Sequence, residues 1–192
     1  MITSIDQLDL TKTYSYADYL KWRFEESVEL IKGKVIRMSP APTTSHQRVS
    51  LNLTLEFGNY LKGSSCSVFA SPFDVRLIRK EDDTQIKTVV QPDLCIICDA
   101  QKIDEKGCYG APDLIVEILS PATSKKDVKD KYELYQEAGV LEYWVIDPIA
   151  KLVDVFFLKE EKYTLVKKYV SDEMVPVHIL PGFSVDLKEV FE

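Results

Sequence analysis

Leu114-Ile115-Val116-Glu117-Ile118-Leu119-Ser120-Pro121 is the stretch on which the fold turns. It is an apolar run of strand length, stopped by a proline and carrying one carboxylate. Such a run belongs on a central strand covered on both faces. An anion buried there is costly unless it is paired, protonated or bound to a metal. The plainer alternative is an edge strand with Glu117 turned to water. Asp113 lies four positions along the same run, about 13 Å away at about 3.3 Å per residue, too far to share one metal ion with Glu117. Asp93, which follows Pro92 at the opening of the apolar run Leu94 to Cys98, can approach Glu117 sideways from another strand.

After Pro121 the spacing predicts a helix over Ser124 to Ala138, with Ser124 as N-cap and Gly139 as its C-terminal stop. On a wheel of about 100° per residue with Val128 at zero, Tyr132 falls near ~40°, Tyr135 near ~340° and Ala138 near ~280°. Lys131, near ~300°, lies inside that apolar arc. One lysine therefore points into the fold, on the helix that follows the strand of Glu117. Two readings stand for it: an i, i+4 pair with Asp127, or an ammonium aimed at Asp93 and Glu117.

Working outward, Tyr14 to Glu26 carries aromatic residues at helical spacing, and two apolar runs around Lys32-Gly33 read as a β-hairpin ended by Pro40 and Pro42. Residues 45–63 alternate like a strand and also form a helical stripe; their length suits a helix, with Ser45 as cap. Extended segments are expected at Cys66 to Ala70, Phe73 to Ile78, Leu94 to Cys98, Leu114 to Leu119, Glu142 to Ile146, Leu152 to Leu158 and Tyr163 to Val170, with a short tail packing over Phe183 to Phe191. Trp144 and Tyr143 fall on opposite faces of their strand and read as core. The whole of 1–192 reads as one α/β (α+β) domain with a mixed sheet.

The 192 residues are 45% hydrophobic and 29% charged, which excludes a disordered chain. No apolar run approaches the roughly 20 residues of a membrane span, and the first residues carry no secretory pattern, so a cytoplasmic protein is expected. The net charge is −7 and only 5 of the 24 basic residues are Arg, the wrong sign for a strongly basic nucleic-acid binder. Cys95-Ile96-Ile97-Cys98 has C-x-x-C spacing, but residues three apart on a strand face opposite ways and no second pair follows. Four small, at least half-buried thiols are expected. Glycine-rich phosphate loops, G-x-S-x-G and H-E-x-x-H are absent.

What remains is carboxylates at the ends of apolar strands with a lysine nearby, a minimal set for metal-dependent phosphodiester hydrolysis. Carboxylates suit Mg²⁺, with Mn²⁺ as its substitute; a bound cation acidifies a water and screens phosphate charge. A lysine can orient or deprotonate that water, or stabilise developing charge. Lys125, Lys126, Lys129 and Lys131 against Asp127 and Asp130 give the segment a local +2.

Several blocks resemble one family. They are Ser71-Pro72-Phe73-Asp74-Val75-Arg76-Leu77, Thr88-Val89-Val90-Gln91-Pro92-Asp93, Gly110 to Pro121, Asp127-Val128-Lys129-Asp130-Lys131, and Tyr135 with Gly139 to Pro148. Together they are similar to the Uma-two family of the PD-(D/E)XK nuclease superfamily, from about Tyr14 to Phe191. The resemblance implies a restriction-endonuclease-like core, a mixed central sheet flanked by helices, and a Mg²⁺-dependent endonuclease acting on DNA. By position, Asp93 is the aspartate of the motif and Glu117 its second acid. The superfamily lysine would stand at 119, which here is Leu; Lys131 is the matching residue on the following helix, the lysine that the wheel also selects. Glu29 matches an additional metal-site acid, so the expected metal ligands are Asp93, Glu117 and Glu29. His46 matches a recurrent histidine, a candidate phosphate contact or proton shuttle; for it and Glu29 the alternative is a satisfied structural polar group. Asp74 is a structural partner for either. Cutting both strands needs two sites, the argument for a homodimer. Two other functions fit the acidic composition: an inactive nuclease fold that binds nucleic acid or protein, and a metal-dependent hydrolase of small phosphate esters.

Overall fold

A computed structural model describes residues 2–38, 42–78, 80–121 and 125–192, without the side chains of Lys125 and Lys126. The expected cap Ser124, the stop at Pro40 and those two lysine side chains lie outside what is described. In chain order the elements are α1 (Tyr16–Tyr19), β1 (Val28–Ile31), β2 (Lys34–Arg37), α2 (Thr44–Tyr60), β3 (Ser67–Ala70), β4 (Val75–Arg76), β5 (Leu94–Ile97), β6 (Ile103–Asp104) and β7 (Gly107–Tyr109). Then follow β8 (Leu114–Ile118), α3 (Lys125–Ala138), β9 (Glu142–Asp147), β10 (Leu152–Lys159), β11 (Lys162–Val170), β12 (Met174–Pro176), β13 (Ser184–Asp186) and α4 (Leu187–Phe191). None of the described helices is long and apolar enough to cross a membrane.

The central sheet has the order β11-β10-β9-β8-β5-β3. Its pairs are antiparallel except β8 with β9, which run parallel because α3 carries the chain back over the sheet. This is the restriction-endonuclease-like α+β architecture, a mixed sheet between helices. The pleat divides its side chains. Leu114, Val116 and Ile118 face α2 and α4, packing with Leu53, Phe57, Trp144 and Val190. Ile115 faces the other way, with Leu134 and Tyr135 of α3, Tyr143 and Val145. Glu117 shares the phase of Ile115, so the carboxylate is carried to the α3 side. A third cluster, with Tyr16, Trp22, Leu30 and Val89, packs the β1–β2 hairpin.

The ambiguous 45–63 segment is helix, capped by Thr43 rather than Ser45: the Thr43 side chain accepts from the His46 N–H. Lys32 and Gly33, both at positive φ, close the β1–β2 hairpin as a two-residue turn of the type that twisted strands favour. The first predicted helix shrinks to one turn. Beyond it the Lys21 and Trp22 N–H groups donate to i−3 acceptors, Asp18 O and Tyr19 O, and Arg23 N–H then donates to Ile2 O, while Trp22 and Phe24 stack at i, i+2 with centroids 5.2 Å apart. Aromatic packing with the N-terminal segment outweighs helical periodicity there. Of Phe73 to Ile78 only Val75–Arg76 is strand, and it pairs with β7 outside the central sheet. At Gly107 (φ +113°) a Cβ would meet Asp74 O at 2.1 Å, so only glycine allows the approach.

The cysteines correct the four-thiol expectation. Cys66 and Cys98 are disulfide-bonded, because the β3–β5 register sets Ser67 opposite Ile97 and so brings their outer neighbours together. Cys95 and Cys108 are buried thiols.

Glu142, fully buried at the start of β9, ties that strand to the C-terminal segment. Its carboxylate accepts from Trp144 Nε1 (2.8 Å) and Ile179 N–H (3.0 Å). Glu142→Ala would leave both donors unpaired in the interior and lower unfolding stability by about 2–3 kcal/mol, to be measured by urea denaturation beside Glu142→Gln, which keeps an acceptor and loses less.

Candidate active site

The β5–β8 register pairs Leu94 with Val116, and one step further it sets Asp93 opposite Glu117. Lateral approach across the ladder thus puts two acids at one end of the central sheet. Asp93 is locked by the ladder itself: its Oδ2 accepts the Ile118 N–H at 2.7 Å. On the α2 side His46 Nε2 lies 3.2 Å from Asp93 Oδ1. Asp113, the rival acid, is elsewhere, its Oδ2 accepting the Cys98 N–H at 2.8 Å.

Lys131 enters from α3 as the wheel requires. Its Nζ is 2.9 Å from Glu117 Oε1 and 3.1 Å from Glu29 Oε1. The lysine side chain is 19% exposed and those of Glu117 and Glu29 are 13% and 5%, so this is an interior ion cluster. The Asp127 pairing is not what Lys131 uses. Glu29 arrives on β1, where Leu30 bridges Val89 and the Gln91 N–H donates to Glu29 Oε1 at 2.9 Å. Asp74 supports that corner indirectly: its Oδ1 accepts from Gln91 Nε2 (2.8 Å) and Tyr19 O–H (3.1 Å).

All five residues singled out from sequence, Asp93, Glu117, Lys131, Glu29 and His46, therefore meet in one place, contributed by the approach to β5, by β8, α3, β1 and α2. His46 is buried and its Nε2 is turned toward Asp93; its Nδ1 is buried with no hydrogen-bond partner among the described residues. Two participants escape sequence reading. Tyr135, one turn beyond Lys131, donates its hydroxyl to Glu117 Oε1 at 2.5 Å; its place on the Lys131 arc was the available signal, masked by its equal fitness for the core. Gln91 acts through its backbone N–H, which no side-chain pattern announces.

Burial pushes the Glu117 carboxyl up to about 7, and the nearby Asp93 and Glu29 carboxylates add to the rise against the pull of Lys131. Burial also opposes the Lys131 ammonium, but Glu117 and Glu29 overcome it and raise the lysine above its ordinary value. For His46 burial is likewise the largest effect and favours the neutral ring, yet the Asp93 hydrogen bond and charge prevail and raise it. The cluster is thus two glutamates on a firmly protonated lysine, with Asp93 opposite Glu117, three acids to one ammonium. Among the described residues no group of three or more His, Cys, Asp or Glu is arranged to hold a metal. What the geometry offers is the facing pair Asp93 and Glu117, hard oxygen donors on one side only. That suits Mg²⁺, which binds through one or two carboxylates and keeps several waters, better than Ca²⁺ or Zn²⁺, which want fuller protein shells.

A profile of the family described as "Uma2: Putative restriction endonuclease" matches residues 16–188. An uncharacterised protein of Synechocystis sp. (strain PCC 6803) is 26% identical over 174 residues, 88% of each chain. Among solved structures, one described as a "putative nuclease belonging to DUF820" from Anabaena variabilis superposes with a TM-score of 0.71 at 22% identity, covering 92% of this chain and 97% of that one. The last likeness is one of fold.

Stability separates the two sides of the cluster. An acid whose pKa is raised on folding favours the fold when protonated, and that contribution is lost as pH rises from the unfolded value near ~4.3 through the folded one. Glu117→Gln removes the excess charge and leaves Lys131 with Glu29. Its stability relative to the parent therefore climbs with pH and reaches or exceeds parity once the pH is above about 7. Lys131→Met strands two buried carboxylates and costs about 3–5 kcal/mol. Chemical denaturation of both variants at acidic and alkaline pH measures this contrast.

Proposed function

The chain belongs to the Uma2 family, and from that footing we propose that it is a Mg²⁺-dependent endonuclease that hydrolyses DNA phosphodiester bonds. The observation that carries the reading is Lys131 held between Glu29 and Glu117, with Asp93 facing Glu117 across the β5–β8 ladder. Carboxylates and an interior lysine at the end of a mixed sheet are the parts that phosphodiester hydrolysis needs. Asp93 and Glu117 would hold Mg²⁺ or Mn²⁺, with Glu29 assisting; when bound, the cation supplies an acidified water and neutralises charge on the phosphate.

The residues of the chain do the rest. His46 and the Ile118 N–H hold the two oxygens of Asp93 in place. Lys131 keeps its proton, so it serves as an ammonium and not as a base. Two of its three N–H bonds go to Glu29 and Glu117, which leaves the third for the attacking water or a non-bridging phosphate oxygen. Water would attack phosphorus directly as the bond from phosphorus to the leaving oxygen breaks, its proton passing to the departing oxygen or to solvent, with no covalent enzyme intermediate. The side chains of Lys131, Glu117 and Glu29 are themselves largely withdrawn from bulk solvent, which strengthens every charge interaction within the cluster.

The net charge of −7 keeps a second reading in play, hydrolysis of a small phosphate ester, which needs no basic groove. Cleavage of supercoiled plasmid with Mg²⁺ or Mn²⁺ is the test. The parent should nick or linearise it, and Glu117→Gln and Asp93→Asn should fall at least about 100-fold while staying folded. Lys131→Ala should fall similarly, assayed where circular dichroism shows it folded. The rate should drop steeply with salt for a duplex substrate; salt-independent turnover of a small ester in place of cleavage would favour the second reading. A folded parent inert to nucleic acid with either cation overturns the proposal.

A further inference from the structure

Both glutamates of the cluster are held in the same way. Glu117 Oε1 receives Lys131 Nζ and the Tyr135 hydroxyl, and Glu29 Oε1 receives Lys131 Nζ and the Gln91 N–H. In each case two protein donors converge on one carboxylate oxygen, and Oε2 has no hydrogen-bond partner among the described residues. Tyr135 is fully buried in an otherwise apolar cluster with Leu134, Val140 and Tyr143. For packing alone phenylalanine would serve, since a buried hydroxyl has to recover its lost hydration. Its 2.5 Å contact lies in the range of charge-assisted O–H···O bonds. Lys131 and Tyr135 stand at i and i+4 on α3, so one helix face delivers both donors to one oxygen.

We propose that Tyr135 is a positioning residue: its hydroxyl, with Lys131, captures Oε1 of Glu117 and so turns Oε2 toward the divalent cation beside Asp93. This rests on the metal-dependent reading above and adds to it a residue outside the acid–lysine set. Outer donors of this kind typically control metal affinity by 10–100-fold. Without the hydroxyl, Glu117 can rotate about its last torsion and offer the cation the oxygen that Lys131 already holds.

The test is Mn²⁺ binding, followed by electron paramagnetic resonance of the free ion, in the parent, Tyr135→Phe, Tyr143→Phe and Glu117→Gln, with thermal unfolding of each in EDTA. Tyr143 packs edge-on against Tyr135 at 5.2 Å and controls for loss of a buried phenol hydroxyl nearby. The expected result is at least tenfold weaker Mn²⁺ binding in Tyr135→Phe, with Tyr143→Phe within twofold of the parent. Unfolding midpoints in EDTA should stay close to the parent for both phenylalanine variants. Unchanged affinity in Tyr135→Phe, with the parent binding and Glu117→Gln not, overturns the role of Tyr135 and leaves the metal reading standing. Equal losses in the two phenylalanine variants, tracking their midpoints in EDTA, assign Tyr135 to packing and also overturn it. A parent that binds no Mn²⁺ overturns the metal reading, and this inference with it.

Discussion

Two glutamates that share one buried ammonium, with an aspartate beside them, set the terms for the rest of the structure. Lys131 lies within 3.1 Å of Glu29 and Glu117, and Asp93 is close enough to raise Glu117 further. Left without the lysine, two acids that are nearly inaccessible would face one another in a medium that screens them poorly. Left with it, the cluster still carries more negative charge than positive. A fold evolved for stability alone would replace such a cluster with apolar side chains. Inside a close-packed sheet such a cluster costs stability, as the proposed catalytic role would require.

The scaffold supplies what that cluster needs. Every acid is tied to a backbone N–H or to a side chain from a different element: Asp93 to Ile118, Glu29 to Gln91, Glu117 to Tyr135. These ties cross from the β1–β2 hairpin to the central sheet and from the sheet to α3, so the cluster also fastens the layers together. The two apolar clusters on either side of the sheet give it a rigid floor and keep α3 at a fixed distance. A site assembled from five elements is precise only if those elements cannot slide, and the packing of Trp144 and Phe57 on one face and Tyr143 and Tyr135 on the other prevents it.

The overall charge of −7 reads differently once the site is visible. Many acidic residues are spent on surface pairs, as in Arg37 with Asp6, Lys32 with Glu137 and Lys168 with Asp154, each contributing little to stability. The acids that bear on the proposed chemistry lie within the fold, where a cation, if held there as proposed, would reverse the local sign met by a phosphate.

Much of this was legible in the amino-acid order. Periodicity located the central strands and the inward face of α3; length decided for the long α2; burial cost marked Glu117; and the wheel picked Lys131 from among its neighbours. These are local properties, carried by residues within one or two turns of each other. The tertiary structure decided the rest. Whether Lys131 pairs with Asp127 or with Glu117, which oxygen Tyr135 addresses, that Gln91 contributes its backbone, that His46 turns inward to Asp93, and that Cys66 meets Cys98 all depend on registers between segments far apart in the chain. The early end of the first helix at Tyr19 has the same origin, since Ile2 of the N-terminal segment bridges Trp22 in place of a further helical turn. The pattern of one segment tells what it must bury; only the register of its neighbours tells against what.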